Sequence, residues 1–308
     1  MRVAIVFPGQ GTQAPGMGLG WKGHPAWAVV DEAEAALGEP LGHLILDADT
    51  EVLARTRNAQ LAVMITSLVA WEAAHDQIGA NHDVVAFAGH SLGQVTALIA
   101  AKTLGLADGI RFAARRAELT QAAADANPGR MAALLGAAPD QATAACAAAP
   151  AGAWVANDNA PGQVVIAGTP EGLEQAIAAA KELGVKRAMA LPVGGAFHTP
   201  LMAEARDGLA TALAGVELRA PSAPVVSNAD AQAYRDGEGW RERLPVHPLV
   251  PVRWRESMDT LASPPLAAAT FVEIGYGSMI AGVAKRTVPD VAVVGVAAPD
   301  DLERLTSM

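Results

Sequence analysis

At 308 residues the chain can bury a full core, as one large domain or as one domain carrying an insert. Hydrophobic residues make up 51% and aromatics only 4%, a balance that fits an α/β enzyme with small-residue helices and excludes a disordered chain. A net charge of −10 with a pI near 5.1 argues against a nucleic-acid partner, so any acidic cofactor or carrier needs a local basic patch. The single cysteine, Cys146, excludes an internal disulfide and a cysteine-rich zinc site, and its Ala-rich helical surroundings read as a small buried residue. The apolar run from Val3 to Phe7 is too short for a signal-peptide core. No run approaches the roughly 18 apolar residues that span a bilayer. The expectation is a soluble, cytoplasmic protein.

Residues 1–13, M-R-V-A-I-V-F-P-G-Q-G-T-Q, read as a buried strand running into a Gly-rich loop. The loop lacks the Walker lysine and the G-x-G-x-x-G spacing, so it reads as an active-site wall and not as a nucleotide cradle. Residues 24–80 read as helical, with Pro25 and Asp31 near a start and Gln60 to Asp76 apolar on one face.

The next stretch, residues 83–102, organises the rest. Val84 to Ala88 has the length and composition of a buried strand, Gly89-His90-Ser91-Leu92-Gly93 follows, and Gln94 to Lys102 is helix-forming. Strand, then G-x-S-x-G, then helix is the context of a nucleophile elbow, with Ser91 on the corner. The helix behind it points its unpaired N–H groups at the place where an oxyanion would form.

Asp108 reads as the N-cap of the following helix, in which Phe112, Leu119 and Ala123 form a buried stripe. Arg116 falls in the middle of that stripe. A buried arginine needs an anion, and the spacing alone leaves open a structural ion pair, a snorkelling side chain or a ligand.

Residues 129–192 change character: strand Met131–Leu135, helix Pro139–Ala149, strand Ala153–Asn157, strand Gln163–Ala167, a helix Pro170–Leu183 beginning at Thr169, and strand Lys186–Pro192. This β-α-β-β-α-β order is ferredoxin-like, with Asn157 to Gly162 as the hairpin between its middle strands. On the return, Gly194-Gly195-Ala196-Phe197-His198-Thr199-Pro200 sets His198 in a Gly-rich turn, well placed for a general base but one of seven histidines. Strands at Pro224–Ser227, Phe271–Ile274 and Val291–Val296 complete the chain, with a helix after Gly275-Tyr276-Gly277.

A serine at an elbow, a distant histidine and a preceding Gly-rich loop suggest acyl transfer through a covalent ester. The acidic third member of a triad is missing. Asp158 lies in the right interval, yet it falls in the hairpin of the insert and makes a poor candidate. A backbone carbonyl can orient an imidazole as a carboxylate does, while stabilising the imidazolium less.

These segments together resemble the malonyl-CoA:acyl-carrier-protein transacylases and the related acyltransferase domains of polyketide and fatty-acid synthases. The resemblance runs over essentially the whole chain. It is carried by F-P-G-Q-G-T-Q at 7–13, R-N-A-Q-L-A at 57–62, G-H-S-L-G-Q at 89–94 and A-A-R-R at 113–116. It continues through N-D-N-A-P-G-Q-V-V-I-A-G at 157–168, G-A-F-H-T-P-L-M at 195–202, P-V-R-W at 251–254 and E-I-G at 273–275.

The resemblance implies an α/β-hydrolase-like catalytic subdomain of residues 1–128 and 193–308, with a ferredoxin-like subdomain of residues 129–192 inserted. It implies that Ser91 attacks an acyl-CoA thioester, that His198 takes its proton, and that the backbone N–H groups of Gln10 and Leu92 form the oxyanion hole. Arg116 would pair with the free carboxylate of a malonyl group and reject plain acetyl. The main-chain carbonyl of His247, where the family more often has Asn or Gln, would orient His198. Gln60, His90, Asn157 and Phe197 are further substrate-binding positions, and a bulky Phe197 should crowd an α-methyl group.

The usual E-x-G-P-G-K becomes Glu273 to Ser278 here, a departure that bears on the site wall or on the carrier-facing surface. No permanent cofactor or metal is implied. Coenzyme A arrives as the thioester substrate and phosphopantetheine on an acyl carrier protein, the protein acts as a monomer, and Lys186, Arg187, Lys285 and Arg286 are candidates for binding these anionic partners. The rival readings are an acyltransferase serving polyketide modules with another acyl group or donor, a serine esterase, and a non-catalytic carrier-binding module.

Overall fold

The computed structural model describes residues 1–308. Strand β1 (Arg2–Phe7) is buried from Val3 onward and ends in the Gly-rich loop. The helical region that follows is broken into α1 (Ala28–Leu37), α2 (Gly42–Leu46), α3 (Thr50–Ala54) and α4 (Thr56–Asn81). Gly38, left-handed at φ 71°, ends α1, and Asp49 caps α3 by accepting from the Val52 N–H. The expectation of a one-faced α4 is corrected, because every residue from Ala59 to Ala70 is buried. Over that stretch the helix runs between the sheet and its neighbouring helices, is covered on all sides and loses the amphipathic pattern, while after it only Ala74 and Ile78 are buried.

Strand β2 (Asp83–Gly89) leads through the Ser91 corner into α5 (Gly93–Ala100), and α6 (Leu106–Ala126) carries Arg116. Gly105 occupies the N-cap position of α6. Asp108 lies inside the first turn, where it pairs with Arg111 at 3.0 Å instead of capping.

The next elements are β3 (Arg130–Leu135), α7 (Pro139–Ala147), β4 (Ala153–Ala160), β5 (Gln163–Gly168), α8 (Pro170–Glu182) and β6 (Arg187–Ala190). Their strands form an antiparallel sheet of order β4-β5-β3-β6, the ferredoxin-like arrangement, and α7 and α8 cover one face through Leu134, Ile166, Leu173 and Ala176. One boundary moves. Residues Asn157, Asp158 and Asn159 are not the turn but part of β4, buried, and the reversal is confined to Pro161-Gly162. Two register shifts let this polar triplet stay in the strand by bulging it.

The chain then adds α9 (Ala205–Leu213), β7 (Val225–Val226), β8 (Ala233–Tyr234), α10 (Trp240–Val246), α11 (Trp254–Ala262), β9 (Thr270–Ile274), α12 (Met279–Thr287) and β10 (Ala292–Val296). The larger sheet has the order β10-β9-β1-β2-β7-β8 and is parallel except for β8, which the sequence pattern does not announce. Glu273, buried at the end of β9, accepts from the N–H groups of Ile280 and Ala281 and so caps α12 despite the altered motif around it. No helix is long and apolar enough to cross a membrane.

Parallel strands deliver their carboxyl ends to one edge, the usual place for a site in such sheets. Phe7 pairs with Gly89, so the Gly-rich loop after β1 and the serine corner after β2 emerge side by side. Two glycines make this approach feasible. A Cβ on Gly93 would lie 2.4 Å from the Phe7 carbonyl oxygen, and one on Gly89 would lie 1.9 Å from the Gly93 carbonyl oxygen. Gly93→Ala should therefore lower unfolding stability by about 1–3 kcal/mol and displace the loop after β1. Chemical denaturation alongside an activity assay checks it, and an undisturbed variant would contradict this packing.

Candidate active site

Ser91 sits at φ 50°, a left-handed conformation uncommon for a residue with a Cβ, and the surrounding structure holds it there. Its N–H donates to Asn228 Oδ1 at 2.8 Å, and Asn228 is itself fixed by its own N–H to Gln94 Oε1 at 3.0 Å. The Ser91 hydroxyl lies 2.7 Å from His198 Nε2. His198 shares the left-handed conformation, at φ 62°, and its N–H donates to the Pro248 carbonyl at 2.8 Å.

The other ring nitrogen settles the tautomer. His198 Nδ1 faces two carbonyl oxygens, those of His247 and Val250, each at 3.1 Å. Carbonyls only accept, so Nδ1 carries the proton and Nε2 is left to accept from Ser91. Burial, together with the nearby Arg116 charge and the His90 ring, pushes His198 down to about 3. The imidazole is therefore neutral throughout the physiological range.

Arg116 is 4% exposed, on the inward stripe of α6 as its spacing indicates. Leu119 of that stripe is half-buried, against Gly208 of α9. No carboxylate pairs with Arg116. Its Nη1 donates to Gln60 Oε1 at 2.8 Å and its Nη2 to Ser91 Oγ at 3.2 Å. Burial lowers it to about 10, which still leaves it a cation at neutral pH. Gln60 in turn donates to the Gln10 side chain at 3.3 Å. The backbone N–H groups of Gln10 and Leu92 make no hydrogen bond within the chain, and Leu92 is fully buried. Two unpaired donors beside a serine are what an oxyanion requires.

The remaining candidates divide. Phe197 packs where the main core meets the cluster of Met131, Ala156, Val165 and Ala196, directly before the histidine. His90 does not present a free ring to a substrate: its Nε2 bonds Asn159 Oδ1 at 2.8 Å and it packs edge-on against Trp254 at 5.6 Å. Asn157 sits opposite Val252 in a bridge whose bonds are made by the Ala156 carbonyl and the Asp158 N–H on either side of it, and the polar contact to the elbow comes from Asn159. Asp158 is ion-paired to Arg255 at 2.7 Å and so is no triad acid. Burial raises the Cys146 thiol to about 12, which makes it inert.

Lys186, Arg187, Lys285 and Arg286 are all exposed. Arg187 and Gln163 flank Leu135 in the ladder, and Arg286 bonds Gln163, so these cations gather at one end of the smaller sheet.

A family model described as the acyl transferase domain matches residues 4–304. The chain belongs to this acyl transferase family. A malonyl CoA-acyl carrier protein transacylase of Bacillus subtilis is 36% identical over 98% of this chain and 95% of its own. An acyl-carrier-protein S-malonyltransferase of Burkholderia pseudomallei superposes with a TM-score of 0.93 at 36% identity, covering all of both chains. A malonyl-transacylase solved in complex with a type II PKS acyl-carrier protein superposes with a TM-score of 0.93 at 32% identity, over 100% of this chain and 99% of that one.

In this acyl transferase several supporting groups escape sequence reasoning. Asn228 holds the Ser91 corner from 137 residues away and no local pattern marks it, whereas Gln94, which fixes Asn228, closes the G-H-S-L-G-Q motif without its role being visible there. Asn159 lies inside the quoted N-D-N motif, where its position was the available signal. Val250 acts through its carbonyl, which side-chain identity cannot reveal. A base already neutral at about 3 gives a clear expectation for pH. The rate of Ser91 acylation should lack the acid limb of an ordinary histidine and stay flat from about pH 5 to pH 8. Single-turnover acylation across that range tests it, and a half-drop near the usual histidine range would contradict a base this depressed.

Proposed function

We propose that the protein moves a malonyl group from malonyl-CoA to the phosphopantetheine thiol of an acyl carrier protein through an ester on Ser91. The observation that carries this reading is Arg116: a buried cation beside the nucleophile with no anion of its own. An unpaired buried charge costs several kcal/mol, and the free carboxylate of a malonyl group is the partner that offsets it. The guanidinium fork suits a bidentate carboxylate.

In the first half-reaction the Ser91 Oγ attacks the thioester carbonyl as its proton passes to His198 Nε2. The N–H groups of Gln10 and Leu92 receive the developing oxyanion. Collapse of the tetrahedral adduct breaks the C–S bond, and the CoA thiolate takes the proton back from His198. The second half-reaction runs the same steps with the carrier's thiol as nucleophile and Ser91 as leaving group. The carbonyls of His247 and Val250 keep His198 in its reactive tautomer throughout. Gln60 steadies Arg116, and Phe197 crowds an α-methyl branch, which favours malonyl over methylmalonyl by about 1–3 kcal/mol.

Residues 1–128 and 193–308 form the catalytic subdomain in this reading, with residues 129–192 as the insert. The exposed cations at the end of the smaller sheet receive the acidic carrier and CoA in the cytoplasm. A serine esterase has no use for the unpaired Arg116, and a non-catalytic module has none for a serine–histidine contact of 2.7 Å.

Intact mass spectrometry after brief exposure to malonyl-, methylmalonyl- and acetyl-CoA tests the reading. A malonyl adduct should form on the protein and be absent from Ser91→Ala. Arg116→Ala should lose malonyl loading by about 2–4 kcal/mol, roughly 30- to 1,000-fold, and gain acetyl loading relative to it. An adduct that persists in Ser91→Ala, or acetyl loading as fast as malonyl in the intact protein, would overturn it.

A further inference from the structure

The carbonyls that hold His198 belong to a segment with unusual duties. Within residues 247–253, His247 and Val250 accept from His198 Nδ1, and Pro248 accepts from its backbone N–H. At the far end of the segment the Arg253 N–H donates to the Asn228 carbonyl at 2.8 Å, and Asn228 Oδ1 holds the Ser91 N–H. One short stretch of chain therefore sets the position of both the nucleophile and its base.

That stretch is tied to the smaller sheet by a thin joint. The Asp158 N–H donates to the Val252 carbonyl and the Val252 N–H to the Ala156 carbonyl, each at 2.9 Å, and the bridge extends no further. The β4 side of this joint is bulged on both flanks of Asp158. Two backbone bonds on a bulged edge strand specify register weakly. A directional clamp stands beside them. Arg255, in the first turn of α11, directs both Nε and Nη2 to Asp158 Oδ2, at 2.9 and 2.7 Å, with the carboxylate only 10% exposed. The two charge-assisted bonds converge on one carboxylate oxygen and pin it against the start of α11, so they fix where Asp158 sits relative to Arg255.

We infer that the Asp158–Arg255 pair is a positioning device for the proton-transfer step, holding the 247–253 segment in register on β4 so that its carbonyls meet His198. Neither side chain touches the reacting atoms; both act through the backbone between them. The inference rests on the function proposed above, and it separates this pair from the surface ion pairs, such as Arg219–Glu217, that touch nothing in the site.

The test is single-turnover acylation by malonyl-CoA, read by rapid quench and intact mass, with the His198 ring signals followed in 1H–15N spectra. Asp158→Asn, which keeps the volume, and Arg255→Ala should each slow acyl-enzyme formation about tenfold, as expected of sub-ångström misplacement, with the half-saturating malonyl-CoA concentration unchanged. The Nδ1–H signal should shift and exchange faster with water. Arg255→Lys should recover part of the rate, and Glu217→Gln should match the wild type. Should Asp158→Asn fail to fold, Arg255→Lys reads the same change, since a single ammonium replaces the fork. Wild-type acylation and an unmoved His198 signal in these variants, with only a lower melting temperature, would reduce the pair to a structural contact and overturn the inference. A rate loss matched by an equal rise in half-saturating concentration would overturn it as well. A wild-type protein that acquires no malonyl adduct would instead overturn the proposed function.

Discussion

The guanidinium of Arg116 is the constraint around which the site is arranged. The protein buries it on the inner face of α6, gives it two neutral acceptors in Gln60 and Ser91, and supplies no carboxylate. Folding alone does not favour such an arrangement, because a desolvated cation lacks the Coulomb partner that would offset its burial. The fold tolerates it through the compact parallel core, where β1, β2 and the stretch of α4 from Ala59 to Ala70 are buried nearly throughout. On the proposed reading the deficit is the source of selectivity: the same charge that destabilises the empty site attracts an acyl group that brings its own carboxylate.

Arg116 also acts on the base. Its charge is, after burial, the largest influence holding His198 low. On the proposed reading, a malonyl carboxylate bound to Arg116 offsets that influence, so the arriving acyl group would raise the basicity of His198 as it takes the proton. A carboxylate behind the imidazole would have raised its basicity permanently. Two backbone carbonyls orient the ring and raise its basicity only in part, less than burial and the Arg116 and His90 charges lower it, which leaves room for a response to the substrate. The Gln60–Gln10 contact links Arg116 to the loop after β1, whose Gln10 N–H receives the oxyanion on the same reading.

Much of this was legible in the sequence because it follows from local rules. The elbow needs glycines where a Cβ would strike backbone, and those glycines stand in G-H-S-L-G. The inserted sheet follows from the order of short periodic segments, and Arg116 declared itself as a charge on an apolar stripe. Local rules fail where a residue's role is set by distant partners. Asn157 to Asn159 look like a turn by composition, yet a bulged strand buries them, because Asn159 finds His90 and Asp158 finds Arg255. His247 and Val250 contribute carbonyls, a group every residue has. Asp108 looked like a cap and is an ordinary first-turn acid, since Gly105 already begins the helix.

The most direct test is a crystal structure of the malonyl-loaded protein. The account predicts an ester on Ser91 Oγ, its carbonyl oxygen within hydrogen-bond distance of the Gln10 and Leu92 N–H groups, and the malonyl carboxylate gripped by both arms of Arg116. An acyl carboxylate pointing to solvent or to another cation, with Arg116 still bonded only to Gln60 and the serine oxygen, would contradict it.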